Sequence, residues 1–83
     1  MKQFIFPAVF FKDGDSVAVV FPDLNITTEG DSVEEAYLFA KDYLRVYCNY
    51  AIKFDLDIER PSKYEFVVDK FPTRTVMLID ALI

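Results

Sequence analysis

Six carboxylates in the first half of the chain, Asp13, Asp15, Asp23, Asp31, Glu34 and Glu35, carry most of the chemistry this sequence could offer. Metal-assisted hydrolysis would need several of them to converge from separate elements on ions about 4 Å apart. Most have a plainer role. Asp13 and Asp15 flank Gly14 in a turn, where aspartate bonds its own backbone and glycine takes positive φ cheaply. Asp31, Glu34 and Glu35 crowd the start of a helix, where acidic side chains meet the positive end of its dipole. That leaves Asp23, and one carboxylate is not a site. Asp13-Gly14-Asp15-Ser16 also fails as a calcium loop, since no glutamate follows at the twelfth position. Cys48 has no neighbouring base or second thiol, and the chain has no histidine. It reads as a small buried hydrophobe, and neither a zinc site nor a thiol nucleophile is expected. Five tyrosines could stack bases, but most fall at helical spacing with few basic residues beside them, which favours core or interface. Catalytic, metal and cofactor sites are therefore not expected.

The elements that hold these residues are legible from local chemistry. Gln3 to Lys12 is rich in β-formers. Pro7 cannot donate a ladder hydrogen bond, so it implies an edge, a bulge, or pairing that begins just after it. Ser16 to Phe21 forms a second strand and closes a hairpin. Pro22-Asp23 breaks it, and Ile26 to Glu29 reads as a short third, antiparallel strand. Gly30-Asp31-Ser32 then opens a helix. Ser32 and Glu35 have capping-box spacing, with Ser32 as N-cap and Glu35 reaching back to its amide. The helix runs from about Val33 to Phe54, free of glycine and proline. Ala36, Ala40, Tyr43, Tyr47, Tyr50 and Phe54 are expected on its buried face, and Glu34, Lys41, Asp42, Arg45, Asn49 and Lys53 on its wet side. Leu38, Phe39 and Val46 widen the apolar stripe, which reads first as core and second as a partner surface. A loop spans Asp57 to Lys63. Residues 64–71 fit either a short strand or a packed connector. Thr75 to Ile79 is an apolar run suited to a central strand buried on both faces, or to one parallel with its neighbour.

Eighty-three residues make one domain, spanning 1–83, close to the size at which a single core barely holds itself together. With one cysteine it has no internal disulfide. Yet 53% of its residues are hydrophobic and 17% aromatic, more than a small monomer hides easily, so an oligomeric or partner interface is expected. A net charge of −5 argues against phosphate-backbone binding and suits a basic partner protein. No signal-peptide pattern and no membrane-length apolar run is present, and the single unpaired thiol fits a cytoplasmic protein.

With the elements placed, the chain resembles the HicB antitoxin family. The resemblance is carried by Phe6-Pro7-Ala8-Val9-Phe10, Val17 to Val20 and Phe21-Pro22-Asp23-Leu24. It continues through Thr28-Glu29-Gly30-Asp31-Ser32-Val33-Glu34-Glu35-Ala36, Ala40 and Arg60-Pro61-Ser62. It is strong over roughly residues 5–62 and weak beyond. Family members usually follow the Pro-Asp-Leu with Pro-Gly-Cys, where this chain has Asn25-Ile26-Thr27. Many also carry a C-terminal DNA-binding domain, which the chain is expected to lack, so direct DNA binding is not expected. The resemblance implies an α+β, partial RNase H-like β-β-β-α-β fold: three antiparallel strands, one long helix, and a final strand parallel to the first through a right-handed crossover. It also implies a non-enzymatic antitoxin that binds and occludes a small basic HicA-type mRNA interferase. An orphan protein-interaction or RNA-binding domain is the alternative. Dimerisation is expected, because a small core without staples gains from a partner. Charge complementarity makes Asp13, Asp15, Asp23, Glu29 and Asp31 the candidate toxin contacts, with Pro22, Gly30, Ser32 and Glu35 structural.

Overall fold

The computed structural model describes residues 2–83. Four strands, β1 (Gln3–Asp13), β2 (Ser16–Phe21), β3 (Ile26–Gly30) and β4 (Thr75–Leu82), form one sheet in the order β3-β2-β1-β4. Helices α1 (Val33–Lys53) and α2 (Tyr64–Lys70) lie between β3 and β4 in the chain. Gly14, at φ 64°, makes the β1–β2 turn. Pairing of β1 with β2 begins at Val9, so Pro7 sits where β1 has β4 alone as a neighbour and its missing donor costs little. The β2–β3 turn closes with the amides of Leu24 and Asn25 donating to the Phe21 carbonyl. Asn25 takes φ 54° there, a left-handed conformation that asparagine tolerates better than most residues.

All three strand pairs are antiparallel, which overturns the expectation of a final strand parallel to the first. The reason lies between the helices. A direct passage from α1 into β4 would have produced the parallel crossover. Instead residues 54–74, with α2 among them, carry the chain back along the sheet before Thr75 pairs with Phe10. β4 is also an edge strand with alternating burial, not a central one buried on both faces. Residues 64–71, open between strand and connector in sequence, are mostly the helix α2.

The strands alternate between two faces, as the pleat requires. On one face Phe6, Ala8, Phe10, Val19, Phe21 and Ile79 pack beneath α1. On the other, Val9 and Val76 pack beneath Val67 of α2, with Phe11, Val68 and Phe71 around them. The buried residues of α1 are Ala36, Ala40, Leu44, Cys48 and Ala51, recurring every three or four positions. Of the four aromatics expected inward, Tyr43, Tyr50 and Phe54 are about half exposed and Tyr47 is partly buried, as is Tyr37. Three alanines and a cysteine let the helix axis approach the sheet closely. Aromatic rings on that line would hold it away.

The start of α1 is built as its residue types require. The Ser32 hydroxyl accepts the Glu35 amide at 3.1 Å. Glu35 reaches back one residue further than expected, accepting the Asp31 amide at 2.9 Å and not that of Ser32. The helix ends in a Schellman arrangement, with Leu56 N–H donating to the Ala51 carbonyl and Asp55 N–H to that of Ile52. Asp55 adopts φ 53° where glycine is usual.

Candidate interaction surfaces

The five candidate contact residues do not form one rim. Asp13 and Asp15 are exposed at the β1–β2 turn. Asp31 lies beside them, because Val17 pairs with Lys12 on one side and with Gly30 on the other. Glu29 pairs with Ala18, which places it on the face opposite α1. Asp23 stands at the far end of β2, a strand length of roughly 17 Å away. The six carboxylates therefore do not converge. Among the described residues, no three His, Cys, Asp or Glu side chains gather to hold a metal ion.

Asp23 has a partner within the chain. Its carboxylate accepts the Ser62 amide at 2.9 Å and the Ser62 hydroxyl at 2.5 Å. Pro22-Asp23-Leu24 and Arg60-Pro61-Ser62, two motifs read separately in sequence, thus meet across 39 positions. The latch fixes the loop after α1 at the β2–β3 end of the sheet, where the chain leaves one face for the other. Asp23→Ala should free residues 57–63, raising amide exchange there while β1 stays protected; unchanged exchange in that loop would deny the latch its role. Charge-assisted hydrogen bonds of this kind are worth about 1.5–3 kcal/mol each.

The second polar fixture guards a strand edge. Lys41 Nζ donates to the Asp80 carboxylate at 2.7 Å and to the Asp80 carbonyl at 3.0 Å, and Gln3 Nε2 donates to the same carboxylate at 3.2 Å. A charged side chain occupying an edge carbonyl blunts strand addition there. The lysine hydrogen bond holds the Asp80 carboxyl below the usual aspartate range, and the same bond raises Lys41 above the usual lysine range. The bridge is thus fully present above the ordinary aspartate pKa and is lost as pH falls through the lowered Asp80 value. At the alkaline end it is present below the ordinary lysine pKa and lost as pH rises through the raised Lys41 value. Asp80→Asn should flatten the acid limb of stability against pH; an unaltered limb would show that the bridge contributes nothing. Cys48 is wholly buried and burial pushes its thiol up, so it stays protonated and inert.

Two apolar faces remain uncovered. Along α1, Phe39, Tyr43, Val46, Tyr50 and Phe54 form a stripe, each 48–59% exposed. On the opposite face α2 is only seven residues long, and Ile5, Leu78 and Leu82 are left bare near the β4 edge. The sequence singled out the width of the α1 stripe, but the buried line of alanines that turns the aromatics outward was the signal to follow.

The chain is an open antiparallel sheet with two helices, satisfied buried polar groups and two bare apolar faces. Its fold is that of HicB antitoxin N-terminal domains. The N-terminal domain of Burkholderia pseudomallei antitoxin HicB matches with a TM-score of 0.81 and 21% identity, over 92% of this chain and 95% of that one. A chain of a toxin–antitoxin complex from Streptococcus pneumoniae matches with a TM-score of 0.83 and 19% identity, over 98% of this chain and 70% of that one. The longer B. pseudomallei HicB structure matches with a TM-score of 0.76 and 22% identity, over 95% of this chain and 61% of that one. No family model and no curated protein matches the sequence.

Proposed function

We propose that this chain is a HicB-like antitoxin domain that binds a small basic HicA-type mRNA interferase and blocks it by occlusion, without catalysis of its own. The observation that carries this reading is the fold, which follows two HicB structures and a chain of a toxin–antitoxin complex over at least 92% of this chain. The surface chemistry is compatible: net charge −5, and exposed Asp13, Asp15 and Asp31 gathered at one end of the sheet. Glu29 extends the acidic surface to the other face. Asp23 is engaged with Ser62, so it contributes to the field more than to direct contact. We place the pair in the cytoplasm, where messenger RNA is cut, give the chain a partial RNase H-like character, and take it to act as a homodimer that does not itself bind DNA.

Titration calorimetry with a purified HicA-type ribonuclease, combined with an RNA-cleavage assay, tests the reading. Stoichiometric binding that suppresses cleavage is the expected result; no heat and undiminished cleavage would end it. Asp13→Lys with Asp15→Lys should slow association about tenfold at low salt and less at high salt, with the fold unchanged, because rim charges act mainly on encounter. Salt-independent association would remove the hairpin end from the contact surface.

A further inference from the structure

We infer that the exposed stripe of α1, together with the open edge of β3, is a two-fold interface on which a second copy of this chain docks with its α1 antiparallel. This deepens the dimeric reading above and does not depend on toxin binding. The stripe residues Phe39, Tyr43, Val46, Tyr50 and Phe54 are spaced four, three, four and four apart, the repeat by which one helix seats side chains against another. They overhang β3, since Phe39, Tyr43 and Val46 line a shallow groove of about 400 Å³ with Thr28. β3 is the end strand of the sheet and has β2 as its one neighbour. An edge strand pairing with its own copy runs antiparallel, and the same two-fold axis makes the two α1 helices antiparallel. Both features thus call for one operator.

The choice of a second copy over a basic partner rests on area and charge. Four aromatic rings, each about half exposed and worth roughly 150–250 Å² when buried, and Val46 supply on the order of 500 Å² per copy. A specific interface needs about 800 Å² per partner, which the flanking side chains and the β3 edge can complete. The charges along this face nearly cancel, three carboxylates against two cations. Asp42 is bridged to Arg45 at 2.8 Å, and an acidic first turn at Glu34 and Glu35 is partly offset by Lys53 in the last. A basic protein gains little there. An antiparallel copy brings the acidic turn of each helix toward the basic turn of the other and aligns the two dipoles favourably.

The stripe is centred within half a residue of Val46, so Val46 lies beside the two-fold axis, close to its own counterpart, while Phe39 faces Phe54 of the other copy. Sedimentation of the purified chain should show a dimer. Val46→Cys should cross-link to itself on oxidation, whereas Phe39→Cys, at the far end of the stripe from its own copy, should not, and buried Cys48 offers no competing thiol. Val46→Glu would set two carboxylates against each other beside the axis and should weaken the dimer about a hundredfold, leaving the circular dichroism unchanged. A chain that stays monomeric at hundreds of micromolar would defeat the dimeric reading itself. A dimer that survives Val46→Glu, or self-linking of Phe39→Cys as readily as Val46→Cys, would leave the dimer standing and overturn this interface. If the chain is monomeric and Val46→Glu abolishes capture of a HicA-type ribonuclease, the face belongs to that partner and the inference fails.

Discussion

Phe21→Ala is expected to cost about 3–5 kcal/mol of folding stability, the usual loss when a fully buried aromatic is truncated. Phe21 has no exposed surface and belongs to the cluster beneath α1. What faces the sheet from α1 is mostly alanine, at positions 36, 40 and 51, on a helix capped at both ends. The alanines cannot swing into the void, and the longer side chains of the cluster, Leu44, Leu24 and Ile26 among them, can fill it only in part, so the loss should fall within that range. A domain of this length has a total stability on the order of 4–12 kcal/mol, so the substitution removes a large share of it. Urea denaturation should show a lowered midpoint with the slope retained. Phe21→Leu, which keeps most of the volume, should lose far less. Equal losses for the two variants would mean that the turn at Leu24 and Asn25, not the void, is what the ring supports.

What the sequence disclosed and what it concealed divide along the range of the interactions. The β1–β2 turn at Gly14, the cap at Ser32 and the helix it opens depend on residues a few positions apart, and each was legible. The direction of β4 was not, because it is set by residues 54–74 passing over the far side of the sheet. No local pattern in Tyr64 to Phe71 announces that passage. Spacing alone points Ala36, Ala40, Tyr43, Tyr47, Tyr50 and Phe54 inward, yet packing against a sheet is governed by size, and the line of alanines wins over Tyr43, Tyr50 and Phe54. The candidate contacts show the same division. Asp13 and Asp15 are neighbours in sequence and in space. Asp31 joins them and Asp23 leaves them only through strand register and the hydrogen bonds from Ser62, which link motifs 39 positions apart. The structure matches agree with the resemblance carried by residues 5–62, and they extend over the region beyond, where the motifs faded.

Gly30→Ala should be the most damaging single-atom addition in the chain, at about 2–4 kcal/mol from overpacking and a disturbed helix start. A Cβ there would stand 2.7 Å from the Ala36 nitrogen and 3.0 Å from both the Ala36 Cα and the Glu35 carbonyl carbon. All three atoms are backbone, so no side chain can rotate away. The first turn of α1 must lift from β3, and lifting it pulls Glu35 from the Ser32 hydroxyl and the Asp31 amide that cap the helix. Gly14 is the instructive contrast. Its φ of 64° is the conformation that favours glycine, but a Cβ there meets nothing within 4 Å. Gly14→Ala should therefore cost about 1–2 kcal/mol, the ordinary penalty for a left-handed alanine. Urea midpoints of the two variants should rank Gly30→Ala well below Gly14→Ala. The opposite order would show that α1 can shift along the sheet without loss. In that case the close seating of its alanine face would be a tolerance of the fold and not a requirement.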